Sequence, residues 1–247
     1  MTKDLFSNQA DLYARYRPDY PRELFEAIAQ KASAHESVWD CATGNGQAAV
    51  ALADYFDRVE ATDLSQKQID HAASHPKVHY FAAPAEASGL ADSSQDCVTV
   101  AQALHWFAGE PFYREVRRVL KPGGVFAAWT YALSLTDESD IADAIVHFYK
   151  NVVGPYWDRE RQYVDKDYLD LPMPFSGSLR ESFSVSRQWS LEDYLGYMSS
   201  WSAVQNYIKQ AGVDPVSTFA RPALEKVWAK GEPKDFGFNI TLVTCRA

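Results

Sequence analysis

The chain has 247 residues, of which 47% are hydrophobic and 23% are charged, and its formal net charge is −9. This length suits one large domain, or a core with a smaller lobe. Nucleic-acid affinity rests mostly on lysine and arginine, so the negative balance argues against a nucleic-acid partner, although it leaves room for a local basic pocket.

From Glu36 to Tyr131, short apolar runs alternate with segments of helical spacing. Five strands are predicted: Ser37–Cys41, Val59–Thr62, Val78–Ala82, Asp96–Ala101 and Val125–Trp129. We expect Gly123 and Gly124 to end the helix before the fifth strand. Strands and helices that alternate at this spacing predict a parallel sheet covered on both faces, with a ligand-binding edge where its strands end.

After Tyr131 the pattern changes. Helical segments are predicted at Glu138–Tyr149, Leu191–Lys209 and Pro215–Lys230, and strands at Leu179–Trp189 and Phe238–Cys245. We expect the two late strands to join the sheet as an antiparallel pair and the helices to form a lid. Four tryptophans of this half either line a pocket or fill a small helical core: Trp157, Trp189, Trp201 and Trp228.

A turn with the sequence DCATGNG, residues 40–46, joins the first strand to the first helix. Gly44 and Gly46 would let a ligand approach the backbone, and the start of the helix offers unpaired N–H groups. The turn lacks the GxGxxG spacing of dinucleotide sites and the GxxxxGK[ST] spacing of phosphate loops. By itself it is equally compatible with a tight turn that binds nothing.

Asp63 ends the second predicted strand. At this position of such a fold, an acid accepts hydrogen bonds from both ribose hydroxyls of a nucleoside, and Leu64 would then lie along one face of the base. The alternative is that Asp63 only caps the following helix beside Ser65.

Five segments together resemble the class I S-adenosylmethionine-dependent methyltransferases: VWDCATGNGQ, EATDLS, APAEASGL, DCVTVAQALHWF and LKPGGVFAAW. The segments YARYRPDYP and YMSSWSAV are similar to the subfamily of trans-aconitate methyltransferases and related small-molecule enzymes, which carry a methyltransferase type 11 domain. The core motifs cover about residues 38–130, and a looser match covers nearly the whole chain.

The resemblance implies an α/β, Rossmann-like fold with a doubly wound, mostly parallel seven-stranded sheet, an antiparallel last strand and a helical lid. It implies a helical segment over the cofactor mouth in residues 1–34 and a cofactor-binding core in 35–131, 179–190 and 236–247. The lid and substrate region would occupy residues 132–178 and 191–235.

The resemblance also implies S-adenosylmethionine as the cofactor, with its methionine part along the glycine turn and its ribose on Asp63. The cofactor-binding residues that it predicts are Asp40, Ala42, Thr43, Gly44, Asn45, Gly46, Asp63, Leu64, Ala85, Glu86 and Gln102. Two positions depart from the family pattern. Ala42 stands where many members have glycine, and Pro84 stands where many have an aspartate that binds the adenine amino group, so that contact must come from elsewhere.

His105 follows the fourth strand, at the edge where an acceptor would arrive. It is the candidate catalytic residue, as a general base for a hydroxyl acceptor. As a neutral donor it would instead orient a carboxylate, and it is also compatible with a loop histidine that packs against Trp106.

The candidate substrate-binding residues are Tyr13, Arg17, His105, Trp106 and Trp201. In the resembling subfamily the segment that holds Arg17 folds over the cofactor mouth, although a helix docked on the sheet with exposed polar tips is equally compatible. An acidic protein that binds a carboxylic acid needs a guanidinium partner. Further candidates, among which the sequence does not choose, are Arg159, Arg161, Arg180, Arg187 and Arg221.

The cysteines are scattered and form no CxxC pair, and no histidines complete a zinc spacing, so we expect no metal and a reducing compartment. The N-terminus lacks an apolar signal core, and no stretch approaches the roughly 18 apolar residues of a membrane span. We therefore expect a cytoplasmic protein with no membrane partner.

We predict an S-adenosylmethionine-dependent methyltransferase that acts on a small molecule, by in-line O-methylation of a carboxylic acid. One alternative is a non-catalytic S-adenosylmethionine-binding protein. Another is a nicotinamide-dependent oxidoreductase, which the glycine spacing disfavours. A nucleic-acid methyltransferase is disfavoured by the net charge and by the segment QALHWF, which stands where amino-methylating enzymes have N/D-P-P-aromatic. The sequence gives no oligomeric state.

Overall fold

A computed structural model describes residues 16–229 and 231–247, and within them one mixed sheet runs through the protein. Its strands lie in the order β3-β2-β1-β4-β5-β7-β6. They are β1 Ser37–Cys41, β2 Arg58–Asp63, β3 Val78–Ala82, β4 Gln95–Ala101, β5 Leu120–Tyr131, β6 Leu179–Trp189 and β7 Lys234–Arg246. Strands β1 to β5 are parallel, and β7 is antiparallel to both β5 and β6.

Helices cover both faces of the sheet. They are α1 Arg22–Lys31, α2 Gln47–Leu52, α3 Gln66–Asp70, α4 Glu110–Val119, α5 Ser139–His147, α6 Arg161–Asp165, α7 Leu191–Ser199, α8 Ser202–Ala211 and α9 Arg221–Val227. Tight single turns occupy Leu104–Trp106 and Gly154–Tyr156, and wide π-helical turns occupy Phe148–Val152 and Val216–Ala220. In the two described ranges, no helix has the length and apolar character needed to cross a lipid bilayer.

Side chains of the central strands alternate between two apolar cores, one on each face of the sheet. In β1, Val38 belongs to one core and Trp39 to the other, and both are fully buried. In β4, Cys97 and Val98 divide in the same way. The first core includes residues of α1, α2, α5, α7 and α8, and the second includes those of α4 and α6. This two-sided burial explains why the central strands read as continuous apolar runs.

The predicted fold class is confirmed: a doubly wound, mostly parallel seven-stranded sheet with an antiparallel last strand. The predicted bounds of β1, β3 and β6 agree with the structure. The role given to the glycine pair was wrong. Helix α4 already ends at Val119, and Gly123 and Gly124 lie inside β5, where the pairing with β4 shifts register between Gln95 and Cys97.

The prediction of one helix over Leu191–Lys209 was also wrong, because the chain breaks between α7 and α8. Ser200 donates its hydroxyl to the carbonyl of Tyr197 at 2.6 Å, a local bond that competes with helix continuation. Trp201 then takes extended backbone angles, and its indole packs against Phe148 and Tyr149. The break thus delivers a tryptophan to the C-terminal edge of the sheet.

Candidate functional site

A cleft of about 830 Å³ lies at the edge where the parallel strands end. Its floor comes from the ends of four neighbouring strands and the loops after them: residues 41–45 at the end of β1, 63–65 at the end of β2, 83–85 after β3 and 101–103 at the end of β4. Tyr20 and the lid residues Asp158, Glu160, Asn206 and Lys209 complete its wall. This is the position at which open α/β sheets bind their ligands.

The glycine turn forms the centre of the cleft floor. Gly44 has φ +58°, and a Cβ there would meet no atom within 4 Å, so bare backbone faces open space. Gly46 has φ +84° and is needed for a different reason, because it lets the ring of Tyr80 pack against the backbone where a Cβ would collide with that ring. Ala42 has φ +57°, a left-handed conformation that is unfavourable for a residue with a Cβ.

Asp63 lies in the cleft floor and braces the glycine turn across the edge of the sheet. Its carboxylate accepts the N–H of Gly44 at 2.9 Å and the N–H of Ser65 at 2.9 Å. Ser65, rather than Asp63, is the residue that caps α3. The bonds from Gly44 and Ser65 hold the carboxylate of Asp63 in place at the edge of the cleft.

Asp40 is fully buried beneath the same turn and is not among the residues that line the cleft. Its carboxylate accepts the hydroxyls of Thr43 at 2.6 Å and of Thr99 at 2.8 Å. Burial raises the pKa of Asp40 to about 6. Asp40 therefore acts in this structure through the turn that it supports.

A smaller chamber of about 50 Å³ adjoins the cleft, and Gln102 and Trp106 line both spaces. Gln102 has φ +52° and forms the partition. Its amide donates to the carbonyl of Tyr131 at 2.9 Å and accepts the hydroxyl of Thr130 at 2.5 Å. These bonds fix the side chain between the two spaces.

His105 lies in the wall of the chamber and is largely buried. Its Nδ1 is 3.0 Å from the hydroxyl of Tyr168. Burial, together with the positive charge of Arg161, lowers the pKa of His105 to about 3. A base with a pKa this far below 7 accepts a proton only weakly, which favours the interpretation of His105 as an orienting group over that of a general base.

Arg161 brings the clearest anion-binding group to the chamber. Its Nε donates to the hydroxyl of Tyr149 at 2.9 Å and to Asp165 at 3.1 Å, and its guanidinium lies 4.6 Å from the ring centre of Trp157. Among residues 16–229 and 231–247, no side chain or backbone group bonds to its two terminal nitrogens. These nitrogens have the geometry to bind a carboxylate with two parallel hydrogen bonds.

Arg17 stands in the same chamber but is held by the protein. Its terminal nitrogens donate to the hydroxyl of Tyr131 at 3.1 Å and to the carbonyl of Ser200 at 3.4 Å. Its guanidinium lies 5.4 Å from the ring centre of Tyr197. Arg17 therefore adds positive charge while it ties the N-terminal segment to the lid.

Comparison with known proteins identifies the family. Over 214 residues, the chain is 35% identical to a protein of Dictyostelium discoideum that carries the name of a methyltransferase, and the match covers 85% of this chain and 81% of that protein. The chain belongs to the methyltransferase family. A family model described as a methyltransferase domain matches residues 39–128 of it.

Two further matches agree. A solved structure described as a type II methyltransferase from Anaeromyxobacter dehalogenans has a TM-score of 0.83 and 37% identity, and the match covers 94% of this chain and 98% of that one. A Saccharomyces cerevisiae protein, named as an S-adenosylmethionine-dependent methyltransferase, is 25% identical over 73% of this chain and 64% of its own length. The predicted class I methyltransferase and its cofactor are confirmed, and the nicotinamide alternative is set aside. The trans-aconitate subfamily stays a prediction.

The cleft of this methyltransferase suits S-adenosylmethionine in its chemistry. A carboxylate, Asp63, faces it beside bare backbone at Gly44, and apolar surface comes from Leu64, which is 43% exposed, and from Ala85. A nucleoside with an amino-acid tail needs these three kinds of surface. Among the described residues, no group of three or more His, Cys, Asp or Glu side chains is placed to hold a metal ion.

Most of the residues predicted for the methyltransferase site lie together. Eight of the cofactor-binding candidates line the cleft: Ala42, Thr43, Gly44, Asn45, Asp63, Leu64, Ala85 and Gln102. The other three, Asp40, Gly46 and Glu86, are not among its lining residues. Four acceptor candidates line the chamber: Arg17, His105, Trp106 and Trp201. Tyr13 lies outside the described residues.

Sequence reasoning missed part of the chamber. Tyr149 and Tyr197 line it, and Tyr197 could have been found because it precedes Trp201 by four residues in the segment YMSSWSAV. Arg161 is the one chamber-lining residue among the five arginine candidates. Of the other four, Arg159 is exposed, Arg180 bonds to the carbonyl of Asp167, Arg187 pairs with Asp19, and Arg221 pairs with Glu192. Trp228 belongs to the core, and Trp189 is half-buried and packs against it.

Proposed function

We propose that this methyltransferase methylates a carboxylate oxygen of a small carboxylic acid, which binds in the chamber beside the cofactor cleft. The observation that carries the proposal is the guanidinium of Arg161, which lines the chamber with two terminal nitrogens that bond to no described residue. Bidentate pairing with such a group is the usual way in which proteins select a carboxylate.

The cofactor-binding roles belong to the same proposal. Asp63 accepts the ribose hydroxyls, Leu64 covers one face of the adenine, and the backbone at Gly44 contacts the methionine part. The bracing bonds from Gly44 and Ser65 to Asp63 support this assignment, because they hold the turn and the carboxylate at fixed positions relative to each other. Asp40 contributes indirectly, through its bonds to Thr43 and Thr99.

The acceptor needs little chemical activation from the protein. The bound cofactor supplies an electrophilic methyl group on a positively charged sulfur. A carboxylic acid is already ionised at neutral pH, so it can attack without a general base, in agreement with the lowered pKa of His105. The task left to Arg161, His105 and Gln102 is alignment, which contributes up to about 7–11 kcal/mol in favourable systems.

The charges that line the chamber support an anionic acceptor over the alternatives. Two guanidinium groups, Arg17 and Arg161, disfavour a cationic amine. The net charge of −9 likewise disfavours a nucleic acid.

The test is methyl transfer from labelled S-adenosylmethionine to panels of small carboxylic acids, phenols and amines. We expect label to appear only with acids and to be released as methanol by mild alkali, because esters hydrolyse where ethers and N-methyl groups do not. Arg161→Gln should lower kcat/KM by at least about tenfold, the scale of one charge-assisted bidentate contact. Arg114→Gln is the matched control, since Arg114 is exposed on α4. Alkali-stable label would refute carboxylate methylation, and binding of the cofactor without transfer to any panel would favour the non-catalytic alternative.

A further inference from the structure

Aromatic rings form much of the wall of the chamber, which is unusual for a site that binds only an anion. Five rings line it: Trp106, Tyr149, Trp157, Tyr197 and Trp201. Trp201 is the centre of the group and is 4% exposed. A hydrated polar acid would gain nothing from this surface, so the lining carries information about the body of the acceptor and not only about its carboxylate.

Three rings pack directly against Trp201, and the pair Trp157 and Trp201 is called the slot below. The ring centre of Trp157 lies 5.9 Å from that of Trp201, and the two ring planes make an angle of 37°. The ring centres of Tyr149 and Tyr197 lie 5.7 and 5.6 Å from that of Trp201, and their planes make angles of 80° and 88° with it. One tilted face and two edge-to-face neighbours suit a flat guest, because aromatic pairs prefer offset-stacked or edge-to-face contacts.

The charges in the slot decide which flat guest it favours. Aromatic cages often hold quaternary ammonium groups, but here guanidinium groups already occupy the cation positions, Arg161 over Trp157 and Arg17 over Tyr197. Arg161 offers one carboxylate clamp with open terminal nitrogens among the described residues. Arg17 is the second cation of the chamber, but its terminal nitrogens already bond to Tyr131 and Ser200, and much of the remaining wall is aromatic. The chamber therefore favours one carboxylate over several.

On the basis of the proposed function, we infer that the acceptor is a monocarboxylic acid with a flat, aromatic or conjugated body. Its carboxylate binds Arg161, and its ring enters between Trp157 and Trp201. Two ring-to-ring contacts of about 3.5–4.0 Å need a gap of about 7–8 Å. The present separation is 5.9 Å, so the lid widens as the acceptor enters.

Benzoate and cyclohexanecarboxylate test the inference, because they share the carboxylate and nearly the same size but only benzoate has a π face. With the full chain and labelled S-adenosylmethionine, we expect kcat/KM for benzoate to exceed that for cyclohexanecarboxylate by about tenfold, as two or more aromatic contacts would give. A linear tricarboxylic acid should be the poorest acceptor of the three.

Two substitutions of Trp157 test whether the slot is the source of the preference for benzoate. Trp157→Leu should bring the ratio of the two kcat/KM values towards one, whereas Trp157→Phe should keep it. The contribution of Arg161 cancels in this ratio, because both acids present the same carboxylate. A shift of the Arg161 guanidinium in the variant would therefore not by itself change the ratio.

The possible failures are distinguishable. Equal turnover of benzoate and cyclohexanecarboxylate, or a preference for the tricarboxylic acid, overturns the flat-monoacid inference and leaves carboxylate methylation standing. A ratio that Trp157→Leu does not change shows that the slot is not its source and also overturns the inference. Failure of every carboxylic acid to accept a methyl group overturns the proposed function itself.

Discussion

The carboxylate of Asp40 links the stability of the glycine turn to pH. Desolvation raises the pKa of Asp40 from 3.8 to about 6, against the opposing hydrogen bonds from Thr43 and Thr99. The folded state holds this proton more tightly than the unfolded state does. Proton binding by Asp40 therefore adds to the free energy of unfolding. The added free energy is fully present below about pH 4 and is lost as the pH rises through about 6. The loss is of order 3 kcal/mol.

Asp40→Asn should remove this loss, because a neutral amide can accept one threonine hydroxyl and donate to the other. Urea denaturation of both proteins between about pH 5 and pH 7 measures the difference in free energy of unfolding, in which the other titrating groups cancel. We expect the variant to gain stability relative to the parent as the pH rises. A difference that stays constant across this range contradicts the buried, proton-holding carboxylate.

At the scale of elements, the turn between β1 and α2 presents bare backbone to the cleft, and a side chain at Gly44 would fill space that the ligand needs. Gly44 and Gly123 both have positive φ, +58° and +78°, and a Cβ at either position would meet no atom within 4 Å. They differ in place, since Gly44 lines the cleft and Gly123 lies early in β5, away from the edge where the strands end.

Gly44→Ala and Gly123→Ala should therefore lose similar stability, about 1 kcal/mol each, because alanine in the left-handed region is strained. Only Gly44→Ala should weaken S-adenosylmethionine binding, by about tenfold or more, since its methyl group enters the space reserved for the ligand. Thermal unfolding and calorimetric titration measure the two effects. Equal cofactor affinity in both variants would show that the ligand does not approach the turn.

The elements themselves were largely predictable from sequence. Strands β1, β3 and β6 begin and end where apolar or alternating runs do, because burial on the sheet fixes those runs. The break between α7 and α8 was not predictable. Helical periodicity continues through it, and the break depends on the hydroxyl of Ser200 and on tertiary packing of Trp201.

In the molecule as a whole, the sequence could predict the cleft but not the whole of the chamber. The cleft floor comes from strand ends and the loops after them, so Gly44 and Asp63 could be placed from the strand pattern, and the family resemblance added Gln102. The chamber wall comes from the lid, where Tyr149 and Arg161 reach the same space from separate turns and helices with no fixed spacing. Such residues are brought together only by the packing of the lid on the sheet.

The charge of the whole molecule also bears on cofactor exchange. The cleft is lined by Asp63, Asp158 and Glu160 against Lys209, in a protein of net charge −9. S-adenosylmethionine carries a net positive charge, and its demethylated product is neutral overall. The acidic cleft should therefore attract the cofactor more strongly than the product.

A rise in NaCl from about 20 mM to about 500 mM should weaken S-adenosylmethionine binding several-fold and the binding of the demethylated product less, because salt screens the attraction. Calorimetric titrations with both compounds give the two slopes. Replacement of Asp158 by Asn together with Glu160 by Gln should reduce the difference between the slopes. Identical salt dependence of the two compounds in the parent protein contradicts this electrostatic selection.

The central claim, that Asp63 grips the ribose of a cofactor seated on the glycine turn, is tested most directly by calorimetric titration with the demethylated cofactor. The parent protein and Asp63→Asn are compared with Asp70→Asn, a matched change at an exposed position of α3. The structure predicts one site per chain in the parent, affinity at least about tenfold weaker in Asp63→Asn, and unchanged affinity in Asp70→Asn. Binding by Asp63→Asn that is as tight as in the parent would contradict the account.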